Sequence, residues 1–305
     1  MNKGKLIITV GISGSGKSTW SHEQWLNDPD MYVIVNRDKI RELLFGFTEQ
    51  SVEQYYVLPN TGKFEKQVTR YEDTLINDGL NHGKTVIVDA THLTRKYLER
   101  FKYWNVPTGV KVFEIELQEA ISRDLKRSRQ VGDIIIQKQY NRFLGLMRDV
   151  AREPIDFTPV TITMNRDNTP CYIFDIDGTL AHMNRDTRSP YDWHKVGEDE
   201  VDRPTELLTD TIENYGDIKI IICTGRDAVC LSETNKWLMD NGIVHDEIYI
   251  RNQGDQRADW IVKEEMWRKI AEDNYIVGMF DDRLQVVRRA RALGLKVFNV
   301  EYNNF

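Results

Sequence analysis

Cysteine is scarce in this chain of 305 residues: Cys171, Cys223 and Cys230 are the three it has. An odd number without close ligand spacing excludes a disulfide framework and a zinc site, and fits a reducing compartment. Long apolar runs are missing too. The opening MNKGKLIITVGISGSG breaks into glycines too early for a signal segment, and no later run approaches a membrane span. A cytoplasmic chain with no membrane partner is expected. There is no excess of basic charge: the net charge is −7, residues 1–160 carry 23 Lys+Arg against 21 Asp+Glu, and residues 161–305 carry 18 against 27. A protein that coats nucleic acid shows a broad basic surface, so any such contact here must be local or directed at an end. The acidic second half suits metal ions better. Repeats and low-complexity blocks are absent as well, and 40% hydrophobic with 29% charged residues describes an ordinary globular chain rather than a disordered one.

What is present is a rhythm. In the first half, apolar β-rich runs at 6–10, 31–35, 85–89 and 110–117 alternate with helical segments, as in a parallel α/β sheet. Of the eight prolines, Pro154, Pro159 and Pro170 crowd one stretch without helical periodicity, so 153–170 reads as a linker. The rhythm then restarts, with strands expected at 171–175, 218–224, 247–251, 275–280 and 295–300 and helices around 228–241, 259–272 and 284–293. The expected fold class is α/β in two domains, 1–152 and 171–305, each a mainly parallel sheet flanked by helices. The polar stretch 181–204 is too short for a domain and reads as a flap over a site.

Gly11-Ile12-Ser13-Gly14-Ser15-Gly16-Lys17-Ser18 fits G-x-x-x-x-G-K-[ST] between an expected strand and an expected helix. Glycines let the backbone curl so that its N–H groups and the helix N-terminus face phosphates, while Lys17 reaches the β- and γ-phosphates and the Ser18 hydroxyl can ligate Mg2+. Gly14, Ser15, Gly16, Lys17, Ser18 and Thr19 are therefore the expected ATP-binding residues. The acceptor side is less determined. Asp38 and Arg41 follow a strand end at Asn36, where Asp38 either takes a hydroxyl proton or caps a helix. Arg123, Lys126, Arg127 and Arg129 precede Gly132 as either a lid bringing positive charge to a transferring phosphoryl group or a solvated basic helix end. Asp89, closing TVIVD, is either an acid acting through water on Mg2+ or a cap for the next turn.

A second phosphate signature lies at FDIDGTL, 174–180. Asp175 ends a strand and Asp177 follows with Gly178 and Thr179, which crowds two carboxylates at one sheet edge. Such crowding is costly without a cation, so bound Mg2+ explains it better than stability does. Thr224-Gly225-Arg226, Lys263 and Asp281-Asp282 are expected at the same edge. An EF-hand reading fails, because Asp186 stands where the loop needs its Glu. This set, D-x-D-G-T, T-G-R, K and D-D, resembles the haloacid dehalogenase-type phosphatases. The resemblance implies Asp175 as a nucleophile forming an aspartyl-phosphate and Asp177 as general acid and base. It also implies Thr224 and Lys263 on the phosphoryl oxygens, and Asp175, Asp177, Asp281 and Asp282 as the metal set.

A P-loop domain followed by this second domain resembles, nearly end to end, the polynucleotide 5′-kinase/3′-phosphatase family of T-even-type bacteriophages. The stretches that carry it are GSGKSTW, NRD with Arg41, FDIDGTLAHMN, SPYD, QGDQR, VKEE and DDRLQVV. That resemblance implies Asp38 as the base on a 5′-hydroxyl, Arg41 on the acceptor's phosphate, and Arg127 as the lid cation at the transferring group, with Arg129 the alternative. It implies phosphate or nucleic-acid contacts for Arg188, Gly225, Arg226, Arg251 and Asp259. The segment DATHL departs from the family, whose Asp stands one position later, so Asp89 stays open. DNA or RNA ends as substrates, a functional link to a ligase, a homo-oligomer and a host cytoplasm for a phage-encoded chain are further implications. Two rivals remain at this level: a nucleoside kinase fused to a nucleotide phosphatase, and a non-enzymatic end-binding scaffold.

Overall fold

A computed structural model describes residues 4–46, 61–127, 130–183, 188–189 and 191–303. The chain divides into two compact units, Met1–Pro159 and Val160–Phe305.

In the first unit the strands β1 (Lys5–Val10), β2 (Tyr32–Asn36), β3 (Thr85–Asp89) and β4 (Thr108–Val112) form a sheet in the order β2-β3-β1-β4, every pair parallel. Helices α1 (Lys17–Asn27), α2 (Arg37–Phe45), α3 (Thr61–Asn81), α4 (Arg95–Glu99), α5 (Leu117–Leu125) and α6 (Asp133–Arg152) connect and cover it. Parallel pairing buries both faces of the central strands, which is why β3 reads VIV without alternation and Val86, Ile87 and Val88 are all inaccessible. Val68, Ile76 and Leu80 of α3 and Ile136, Phe143 and Leu146 of α6 close the core at helical spacing. The strand expected over 110–117 is shorter than its pattern. Phe113, Ile115 and Leu117 alternate with glutamates in strand period, but β1 ends at Val10. Its oxygen takes the Phe113 N–H at 2.8 Å, and no ladder partner remains beyond it.

The second unit carries β5 (Thr169–Phe174), the short antiparallel pair β6 (Ala181–His182) and β7 (Glu200–Val201), α7 (Arg203–Glu213), β8 (Lys219–Asp227) and α8 (Leu231–Asp240). Then come β9 (Glu247–Arg251), α9 (Asp259–Asp273), β10 (Asn274–Arg283), α10 (Leu284–Ala292) and β11 (Val297–Asn303). Its main sheet is parallel in the order β11-β10-β5-β8-β9, so β5 is central. Alternate residues feed two cores: Cys171, Ile173, Ile221 and Cys223 meet Trp267 and Val287, whereas Phe174, Ile220 and Ile222 meet Trp237 and Leu238. Phe174 and Phe280 stack with centroids 4.5 Å apart across β5 and β10.

Two expectations change in detail. Most of the stretch expected as a linker is absorbed: Ile155 and Phe157 pack on the first core, while Ile162, whose N–H donates to Leu293 O at 3.0 Å, packs with Met164 on the second. The flap has a built base, the β6–β7 pair and a 3-10 turn over Trp193–Glu198. Residues 184–187 and 190 of the flap, and Arg129 of the lid, lie outside the described residues.

Candidate active sites

The P-loop follows β1 directly. Gly14 and Gly16 have φ of 84° and 93°, the left-handed region that glycine enters without strain, and a Cβ on Gly14 would press on the Ala120 backbone. Helix α1 starts at Lys17 with no acidic residue in its first turn, so its positive end is left for an anion. Lys17 Nζ lies back on the loop, donating to Ile12 O at 2.7 Å and Ser15 Oγ at 3.3 Å. Burial pulls its pKa down to about 8, with the Asp89 carboxylate opposing and the Arg127 guanidinium adding to the fall. Thr9 Oγ1 donates to Ala90 O and His92 Nδ1 lies 2.7 Å from Thr9 O, so the turn after β3 is fastened to the strand that carries the loop.

On the acceptor side the cap of α2 is Asn36. Its Oδ1 accepts from the N–H of Asp38 at 2.9 Å and of Lys39 at 3.1 Å, while its Nδ2 donates to the buried Asp89 at 2.9 Å. Asp38 is thereby relieved of capping. Its side chain is 55% exposed and receives Arg41 Nη1 at 2.6 Å. Arg41 is held in turn by both oxygens of Glu65, at 2.8 and 2.9 Å. In the stretch expected as a lid, Arg123 Nη1 donates to Gly14 O at 3.3 Å, and Asp124 Oδ2 accepts from Val131 and Gly132 N–H to close the turn. Arg127, half-exposed, has its guanidinium 3.9 Å from Asp124.

In the second unit the carboxyl ends of β5, β8 and β10 meet. Oxygens of Asp175, Asp281 and Asp282 lie within 4.8 Å of one another, all three residues buried. Lys263, one turn into α9, reaches Asp175 at 2.9 Å, Asp281 at 2.8 Å and Asp259 at 3.7 Å. Burial pushes both the Asp175 and the Asp281 carboxyls up, against the pull of Lys263. For Lys263 burial works downward, but Asp175, Asp281 and Asp259 outweigh it and keep the ammonium charged. The buried acids Asp175, Asp281 and Asp282, two of them paired with the Lys263 ammonium, form an oxygen donor set that suits a divalent cation, which would replace the protons such crowding retains. Gly178, at φ 86°, must be glycine, because a Cβ there would collide with the Asp282 carboxylate.

The structure does not bring the Asp177 carboxylate into that triad. Both its oxygens face Arg226, at 3.0 Å from Nε and 2.8 Å from Nη2. Partial burial works to raise its pKa, but the Arg226 charge and hydrogen bonds prevail and lower it. Thr224 is buried in β8, where the register with β9 shifts, and its Oγ1 accepts the Arg226 N–H. The arginines expected to meet substrate are engaged within the fold. Arg226 and Arg188 are buried against Asp199, and Arg251 donates to the oxygens of Gly225, Asp255, Arg257 and Asp259. A Cβ on Gly225 would strike Asp259, which also receives Arg283 at 3.1 Å. Asp199, Glu65 and Arg283 escaped the sequence reading. Each stands beside other charged residues, and only the partner brought to it by the fold distinguishes it from a solvated one.

This geometry defines a class of fold: a P-loop domain suited to phosphoryl transfer, followed by a haloacid dehalogenase-like domain with an acid-rich sheet edge. Residues 169–305 match the family described as the polynucleotide kinase PNKP phosphatase domain. Residues 6–148 match the AAA domain family. Over 310 residues the chain is 26% identical to a protein of Autographa californica nuclear polyhedrosis virus named as a bifunctional polynucleotide kinase/RNA ligase, covering 97% of this chain and 42% of that protein. A chain in the solved Pnkp1/Rnl/Hen1 RNA repair complex is 25% identical over 100% of this chain and 98% of its own length, with a TM-score of 0.46. A deoxyadenosine kinase of M. mycoides is 18% identical over 50% of this chain and 86% of its own, with a TM-score of 0.32. Among the described residues no helix is long and apolar enough to cross a membrane.

Proposed function

We propose that this chain heals nucleic-acid ends. Its first unit is a kinase domain with an arginine lid, which phosphorylates polynucleotide 5′-hydroxyls from ATP. Its second is a phosphatase domain with a flap, which removes 3′-phosphates. The observation that carries the reading is the Asp175, Asp281, Asp282 and Lys263 cluster, standing within a unit that matches a polynucleotide kinase phosphatase domain. The ends so produced, 5′-phosphate and 3′-hydroxyl, are those a ligase joins, and the viral relative's name couples a polynucleotide kinase with an RNA ligase.

At the first site, Gly14 to Thr19 cradle the phosphates and the Lys17 ammonium turns from Ile12 O toward them. Asp38 takes the proton of the 5′-hydroxyl as its oxygen bonds the γ-phosphorus and the bond to the β-phosphate oxygen breaks. Arg41 orients Asp38 and the acceptor, and Arg127 brings positive charge to the transferring group. Ser18 would hold Mg2+, which would add to the neutralisation of that charge.

At the second site, an Asp175 oxygen bonds the 3′-phosphorus and the bond to O3′ breaks, its electron pair leaving on O3′, which takes a proton from Asp177. Water then gives its proton back to Asp177, bonds phosphorus and frees phosphate and Asp175. Lys263 and Thr224 steady the phosphoryl oxygens, with Asp175, Asp281 and Asp282 as the residues that would hold Mg2+. The test is an end-group assay on a DNA or RNA strand bearing a 5′-hydroxyl and a 3′-phosphate, with γ-labelled ATP and free nucleosides competing. Label on the strand and loss of its 3′-phosphate are expected; label on nucleosides alone would sink the proposal.

A further inference from the structure

One peptide of the P-loop is held from both sides. The bond between Ile12 and Ser13 is trans, so its oxygen and its hydrogen point opposite ways. On the side of the loop, Ile12 O accepts Lys17 Nζ at 2.7 Å and the Ser15 N–H at 3.3 Å. On the other, the Ser13 N–H donates to Gln139 Oε1 at 2.8 Å. Gln139 stands in α6, three residues after Ile136 and four before Phe143, both buried in the first core. That spacing puts all three on one face of the helix, so the amide reaches the loop from an element fixed on the core. Ile12 is buried in the same core. Packing thus holds one end of the peptide, and the Gln139 hydrogen bond holds the other.

We propose that Gln139 is a positioning residue for phosphoryl transfer, fixing the orientation of the Ile12–Ser13 peptide and so the oxygen that locates the Lys17 ammonium. The inference rests on the reading of Lys17 as a cation at the triphosphate given above. A planar peptide turns as a unit about the bonds on either side of it, ψ of Ile12 and φ of Ser13. Without the Gln139 oxygen the Ser13 N–H is left to find another acceptor, which favours that turn. The turn takes Ile12 O away from Lys17, and the ammonium loses the contact that sets its place. An ammonium carries three hydrogens, so its swing toward phosphate leaves one for Ile12 O. The N–H groups of Gly14 to Thr19, which cradle the phosphates, lie outside this peptide. Gln139 therefore acts on the rate of transfer rather than on the affinity for nucleotide.

The test uses the full chain, a strand bearing a 5′-hydroxyl and a 3′-phosphate, and saturating γ-labelled ATP. Gln139→Leu, apolar and without an acceptor, is expected to lower kcat for strand labelling by roughly tenfold to 10²-fold, the loss that follows a misplaced catalytic group. Its ATP dissociation constant is expected within roughly threefold of wild type, which also shows the first unit folded. Release of the 3′-phosphate by the same variant should be unchanged, because that site stands on its own core. Gln139→Glu keeps the acceptor and is expected to hold kcat within roughly threefold of wild type. A side chain that only braced the loop would cost ATP affinity and leave the saturated rate alone. An unchanged saturated rate in Gln139→Leu, or a Gln139→Glu variant as slow as Gln139→Leu, overturns the proposal. If Gln139→Leu binds no ATP, Gln139→Ala removes the side chain without crowding the loop and carries the same outcomes. A wild-type chain that labels no strand overturns the kinase reading and this inference with it, whereas a fast rate in the variants of a labelling chain overturns the role of Gln139 alone.

Discussion

His92 shows what a single buried side chain contributes. It is 5% exposed, sits at φ 46°, meets Phe101 edge-on at 5.3 Å and has its Nδ1 against Thr9 O. Burial pulls its pKa from 6.5 down to about 4, with Thr9 O opposing the fall. A histidine depressed in the fold leaves the unfolded chain the better proton acceptor between those values. Its contribution is whole above pH 6.5 and is lost as the pH falls toward 4. That loss is at most about 3 kcal/mol. Chemical denaturation at pH 7 and pH 4.5 is expected to show a first unit that weakens in acid, and a His92→Asn variant that is weaker at pH 7 but less sensitive to acid. Equal acid sensitivity would remove His92 from the account.

At the scale of the element, α2 shows why a motif and its geometry are separate knowledge. The string NRD could be read with Asp38 as cap or as base, since Asp does both. The fold decides the cap, because Asn36 sits at the strand end with Oδ1 toward the helix and Nδ2 toward Asp89. Asn36→Ala is expected to cost the first unit about 1 kcal/mol through the lost cap. It should also lower phosphoryl transfer while ATP affinity holds, since the P-loop is untouched. Equilibrium unfolding and steady-state kinetics check the two effects, and an unchanged transfer rate would separate α2's start from the reaction. The P-loop and the acid-rich loop after β5 were legible because phosphate chemistry fixes residue types at fixed spacing. Asp199 and Glu65 were not, because their arginine partners lie 11 to 28 residues away and nothing in their neighbourhood marks them. The period-two run beyond Phe113 misled for a related reason: alternation reports faces, and a strand also needs a neighbour.

Across the whole molecule, two parallel sheets were legible from the restart of the strand rhythm, because each needs its own apolar runs. The division at Pro159 was harder, since residues on either side of it pack on the core nearer to them. The two sites stand on separate cores, and the expectation is two separable activities. Asp38→Asn should abolish strand labelling and keep 3′-phosphate release, and Asp175→Asn should do the reverse. An equal mixture of the two variants is then expected to heal both ends of one strand. Loss of both activities in either variant, with each still folded, would show that the sites are not independent.

The Lys17 ammonium resting on Ile12 O and Ser15 Oγ has a kinetic meaning. The loop has its curl with the Lys17 ammonium lying on its own backbone, so nucleotide binding is expected to call for a side-chain turn rather than a refolded backbone. Side-chain rotamers change in picoseconds to nanoseconds, so the turn of Lys17 is expected not to limit nucleotide association.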